Sequence, residues 1–214
     1  MGNLISLDDR RADSARPTRD APIAFFFDLS CPLSYLVAER VERTLGEVRW
    51  VPVPASSLGF EHPTVDVTAV REHAQARARA LRLPLVWPER FPADARCALR
   101  AASLASELGF GARFALAASR LAFCGGFDLD DPETLAEAAA AAGLPLDGCL
   151  TAASDTRRDA QLQATADGLR FRGVQRLPAI RVGRRWLQGE PGLMAACAVS
   201  REPGALGRPL APVG

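Results

Sequence analysis

The hydrophobic pattern begins at Ile23 to Phe27, five apolar residues in a row, which reads as a strand buried on both faces. After the link Asp28-Leu29-Ser30, apolar residues at Leu33, Leu36, Val37, Val41 and Leu45 trace one helical face, which Gly46 closes. Arg49 to Val53 alternates polar and apolar and predicts a second strand, ended by Pro54. Strand, helix and strand joined by short links make a right-handed βαβ unit with parallel strands. From about Thr68 to about Phe171 the spacing turns helical, with segments over Val70–Leu81, Ala95–Leu108, Ala112–Phe123, Pro132–Ala142 and Thr156–Leu169. Asp131-Pro132 is an N-cap followed by proline at the first helical position, and Gly109, Gly125 and Gly143 suit helix ends. Ala179–Val182 and Arg185–Leu187 flank Gly183-Arg184 and predict a tight hairpin; a short helix over Gly192 to Val199 follows.

The order βαβ, helical block, ββα predicts an α/β fold: a central sheet carrying a helical insertion over about residues 68–171. No repeat or low-complexity linker cuts the chain, so 23–200 reads as one domain between a disordered tail, 1–22, and a loop-like tail, 201–214. The length of 214 residues and 48% hydrophobic content suit a single packed core. A net charge of +1, with Arg interleaved among Asp and Glu, argues against nucleic acid and against anionic membrane surfaces. The first 22 residues hold no apolar stretch of signal-peptide length, and no later run is long enough to span a bilayer, so a soluble cytoplasmic protein is expected. Gly2 and Ser6 fit the loose N-myristoylation pattern, for which a plain tail is the simpler reading.

Five cysteines, Cys31, Cys97, Cys124, Cys149 and Cys197, are odd in number and scattered, which is neither a disulfide framework nor a zinc pattern. Five reduced thiols are expected, with no metal. Cys31 differs from the rest by its place at the strand-to-helix junction, in Ser30-Cys31-Pro32-Leu33-Ser34. There the free N–H groups and dipole of a helix N-terminus favour a thiolate, and Ser34, one turn on, is placed to donate to it. A depressed pKa for Cys31 is therefore expected; a small buried thiol that merely precedes a proline is the plainer alternative. Leu177-Pro178 precedes the third strand, where the proline either marks the strand's start in trans or forms a cis bond. His62 and His73 read as surface residues. Trp50, Trp87 and Trp186 read as packing residues, with a place lining a cleft as the alternative for Trp87. The other cysteines read as buried and inert.

Taken together, the Cys-Pro-x-Ser junction and the proline before a late hairpin resemble the thioredoxin-fold DsbA superfamily. The similarity is greatest to its branch of 2-hydroxychromene-2-carboxylate isomerases and kappa-class glutathione transferases. It spans about Ile23 to Ala195 and is carried by FFFDLSCPLSYLVAERVE, VRWVPV, LPLVWPERFPADARCALRAA and LPAIRVGRRWLQG. The resemblance implies a thioredoxin-like fold with the helical block as a cap, and a cleft between them that binds glutathione and a small conjugated aromatic substrate. It aligns the branch's serine, which hydrogen-bonds the glutathione thiol, with Cys31. It implies a cis Pro178 that exposes the backbone of Leu177 to glutathione, and a contact of Glu190 with the γ-glutamyl amine. It is compatible with a homodimer.

The implied activity is a glutathione-dependent isomerase or transferase. The alternatives are a monothiol thiol-disulfide oxidoreductase, because Ser34 cannot resolve a mixed disulfide, and a binding protein for glutathione or another ligand without catalysis. This chain departs from the branch at Cys31, at Arg176 where glycine is usual, at Pro191 in place of an arginine, and at Asp94 in place of an asparagine.

Overall fold

The computed structural model describes residues 23–58, 66–93 and 95–202. The expectations for the two tails, Gly2, His62 and Asp94 lie outside the described residues, apart from residues 201 and 202.

Strand β1 (Ile23–Phe27) is buried along its whole length, as its unbroken apolar run predicts. Strand β2 (Arg49–Pro52) pairs parallel to it, with Phe25 opposite Trp50. On the other side of β1, strand β3 (Ala179–Val182) runs antiparallel with Phe25 opposite Ile180, and β4 (Arg185–Gln188) completes a hairpin with β3. The order β2-β1-β3-β4 puts β1 in the middle, where both of its edges are paired.

Alternation along β1 gives the sheet two apolar faces. Ile23, Phe25 and Phe27 join Trp50 and Ile180 against α1 (Pro32–Ala38), α2 (Val41–Leu45) and α9 (Gly192–Ser200), through Leu36, Val37, Val41, Leu193 and Ala196. The Phe25 and Trp50 rings meet edge to face at 4.9 Å. Each such buried side chain stabilises the fold by about 1.5–3 kcal/mol. Ala24, Phe26 and Ala179 face the opposite way and pack on Ala166 and Leu169 of α8 (Arg158–Phe171).

Between β2 and α8 run α3 (Val67–Leu81), α4 (Arg96–Glu107), α5 (Gly111–Phe123), α6 (Pro132–Ala142) and α7 (Leu146–Ser154). Alanines fill their contacts, which lets helix axes approach closely around Leu99, Phe114, Phe123 and Leu135. This core is continuous with that of the sheet. Asp131 caps α6 by accepting from the Glu133 N–H at 2.9 Å, as its position before Pro132 predicts.

Three features differ from expectation. The helix expected from Leu33 to Leu45 is broken at Glu39-Arg40. The Arg40 N–H bonds to Val37 three residues back, and the two side chains turn to ion-pair partners elsewhere, Glu39 to Arg120 and Arg40 to Glu190. Helix α7 was not anticipated. Finally, α8, the last helix of the inserted block, covers the second face of the sheet, so it is part of the central sandwich.

Candidate active site

The C-terminal end of β1 delivers Cys31 to the first turn of α1, where it is the N-cap residue and Pro32 is the first helical position. Proline suits that place because its missing N–H would have no helical partner. Across the site, Leu177–Pro178 is a cis peptide bond at the head of β3, and both residues are buried. The Cys31 thiol points at the Leu177 carbonyl oxygen, 4.0 Å away.

Ser34 is buried one turn into α1. Its hydroxyl donates to the Cys31 sulfur and accepts from the Asp28 N–H at 3.3 Å; the backbone N–H groups of Leu33 and Ser34 also reach the sulfur. These contacts pull the Cys31 pKa down. They do not prevail. Although Cys31 is only half-buried as a residue, the protein packed around its thiol disfavours a thiolate, and the Asp28 carboxylate adds to that. The net effect raises the Cys31 pKa above the usual thiol value, which corrects the expectation of a depressed one.

Glu190 follows Gly189, whose N–H bonds to the Pro178 carbonyl at 2.7 Å, so it stands beside the cis proline. It is 2% exposed, and both carboxylate oxygens are engaged: Oε1 accepts from Arg40 at 2.7 Å and Oε2 from Arg77 of α3 at 2.7 and 2.9 Å. Here Glu190 locks α3 and the α1–α2 junction onto the β3–β4 hairpin. Arg40 and Arg77 remain 20% and 39% exposed, so this side of the site presents cationic edges.

The profile of the DSBA-like thioredoxin domain family matches residues 22–195. The chain belongs to that family. Among solved structures it is similar to a 2-hydroxychromene-2-carboxylate isomerase, at 17% identity and a TM-score of 0.70, covering 84% of this chain and 94% of the other. It is likewise similar to a DsbA oxidoreductase, so described as probable, from Streptomyces coelicolor, at 18% identity and 0.68, covering 89% and 93%. At such identities the likeness establishes the shared fold. No curated protein sequence matches the chain.

Beside the thiol of this DSBA-like domain lies an aromatic wall. Leu29, Ser30, Phe91 and Phe123 line one small depression, and Trp87 packs on Phe91 with ring centroids 4.7 Å apart. Arg71 of α3 stacks its guanidinium over both rings, at 5.2 and 5.5 Å. Arg71 Nε and Trp87 Nε1 are buried donors with no acceptor among the described residues. Trp87 packs against Phe91 and Phe123, as a packing residue would.

Asp28, Arg40, Arg71 and Arg77 escaped the sequence reading. Asp28 directly follows the buried strand, and a carboxylate there was a readable signal. Its Oδ1 accepts from the Ser30 N–H and hydroxyl and its Oδ2 from the Ala55 N–H, tying the Cys31 loop to the turn after β2. Arg176, which stands where the branch has glycine, is exposed, with its N–H on the Gln188 side chain, and Pro191 is the N-cap residue of α9. His73 is exposed, as expected. All five cysteines are free. Burial drives Cys149 up to about 11, whereas Cys124 is half-buried and touches the Tyr35 hydroxyl at 3.2 Å. Among the described residues no helix is long and apolar enough to cross a membrane.

Proposed function

We propose that this protein is a glutathione-dependent isomerase or transferase acting on a small conjugated aromatic compound. The observation that carries the reading is the pairing of the Cys31 thiol, kept protonated at neutral pH by burial, with the Leu177 carbonyl beside cis Pro178. A protonated thiol is a hydrogen-bond donor, the role that the related branch gives to serine. It is a poor nucleophile, because disulfide chemistry proceeds through the thiolate.

The residues present fit the thiol half of glutathione. Cys31 would orient its sulfur, Ser34 would hold Cys31, and the Leu177 backbone beside Pro178 would meet the peptide. With Glu190 committed to two guanidiniums, the exposed edge of Arg77 suits one of the glutathione carboxylates, and Glu190 acts by holding that arginine in place. When bound, glutathione supplies a thiol that can add to a conjugated carbon and leave again. The protein's part is to position that sulfur, exclude water with the apolar wall of Phe91 and Phe123, and present Arg71 and the Trp87 indole N–H to an oxygen of the substrate. Two unmatched donors against an aromatic wall favour a planar compound carrying a negative oxygen.

The test is to follow the absorbance of conjugated aromatic candidates with and without reduced glutathione. Cys31→Ser is expected to retain activity and Cys31→Ala to lose most of it. Complete loss in both, with a stable glutathione adduct on the native protein by intact mass, would replace this reading with monothiol redox chemistry.

A further inference from the structure

At the end of the sheet remote from Cys31, Arg49 of β2 and Arg181 of β3 both stand opposite Ala24 of β1. Cross-strand neighbours project to one face, so the two arginines straddle the smallest side chain in that row, on the face that α8 covers. Several other guanidinium groups meet carboxylates, Arg100 with Asp159, Arg120 with Glu39 and Arg158 with Glu107, while Arg71 lies over the Trp87 and Phe91 rings. Arg49 and Arg181 have no such partner among the described residues, and the Nε of each is buried without an acceptor. Burial and the charge of Arg181 across Ala24 both lower the Arg49 pKa. Buried polar groups in native proteins are nearly always paired, and unneutralised like charges side by side are rarer still.

A cavity of about 240 Å³ opens beside Arg49, between the free edge of β2, α4 and α8. Its carboxylates are already engaged. Glu42 accepts from the Trp50 indole N–H at 2.9 Å, and Glu107 holds Arg158 with both oxygens. Gln161 and Thr165 add polar surface. Glu107 and Arg158 offset one another, Glu42 keeps its charge because the indole N–H is neutral, and Arg49 with Arg181 leaves the balance on this side positive.

We propose that Arg49 and Arg181 together hold a phosphate-type oxyanion on the α8 face of the sheet, with the cavity beside Arg49 receiving the group that carries it. Two guanidiniums match an oxyanion bearing close to two negative charges, as phosphate does near pH 7, better than they match a single carboxylate. Each offers donors in a fixed fork suited to phosphate oxygens. The site lies outside the thiol cleft, so it is independent of the activity proposed above.

Calorimetric titration of the full chain with inorganic phosphate, in chloride buffer of low ionic strength, tests this. Saturable binding of one phosphate is expected, weakened at least about tenfold in Arg49→Gln and in Arg181→Gln. Arg185→Gln, which removes an exposed arginine paired with Glu202, should leave it unchanged. Arg49→Lys and Arg181→Lys keep the charge but lose the Nε donor, and they serve if the glutamine variants do not fold; several-fold weaker binding is expected of them. Glycerol phosphate as a second titrant separates sources: tighter binding than inorganic phosphate assigns an ester, equal or weaker binding the free ion, and either must fail in the Arg49 and Arg181 variants. No saturable binding to the native chain, or native affinity in those variants, overturns the proposal.

Discussion

The sulfur of Cys31 and the carbonyl oxygen of Leu177, 146 residues apart in the chain, lie 4.0 Å from one another. Two loops meet there, one leaving β1 and one entering β3, and neither strand end would be so placed without the pairing of β1 with β3. A protonated thiol can donate to that carbonyl; a thiolate would repel it.

Cys31 should therefore titrate late. Iodoacetamide labelling, read by peptide mass spectrometry, is expected to give a midpoint above the free-thiol reference of about 8.5. Because the folded pKa exceeds the unfolded one, the linked stability is fully present below the unfolded pKa and is lost as pH rises through the folded value. Cys31→Ser should accordingly lose less stability than the native protein in alkaline denaturation series. A labelling midpoint below that of a free thiol would restore the nucleophile.

Asp28→Asn removes a negative charge that raises the Cys31 pKa, and disturbs the acceptor that serves Ser30 and Ala55. The labelling midpoint is expected to fall while stability drops by about 1–2 kcal/mol in urea denaturation. An unmoved midpoint in a folded variant would show that the Asp28 charge does not reach the thiol.

Ser34→Ala should act in the opposite sense on the thiol. It deletes a hydroxyl that lowers the Cys31 pKa and strands the buried Asp28 N–H. A higher labelling midpoint and a loss of about 1–2 kcal/mol are expected.

Glu190→Gln leaves Arg40 and Arg77 without their shared carboxylate. Breaking a buried pair is costly, but both arginines are partly solvated, so the expected loss is about 2–3 kcal/mol by chemical denaturation. A neutral substitution would mean that solvent already screens the pair.

Much of this architecture was legible because it rests on local periodicity. The unbroken run of β1, the alternation of β2 and the Gly183-Arg184 turn each announce their element, and the Cys-Pro junction falls where β1 gives way to α1. Helix α7 was not legible because Pro145 at its start and Gly148 within it read as breakers, while its Cys149, Ala152 and Ala153 are buried by neighbouring helices. The break at Arg40 and the role of Glu190 depend on each other across 150 residues, a pairing that no spacing encodes. The Cys31 pKa was misjudged for a related reason. Helix-terminal N–H groups are visible in the sequence, but the protein packed around the thiol is not, and burial outweighs them.

Calorimetric titration of reduced glutathione into the native protein, Cys31→Ser and Cys31→Ala at pH 7 tests the role of Cys31 most directly. If Cys31 is a donor that orients glutathione, the native protein binds it saturably, Cys31→Ser retains the affinity within a few-fold, and Cys31→Ala binds at least about tenfold more weakly. Absence of binding to the native protein, or serine and alanine variants that fail alike, would contradict that role.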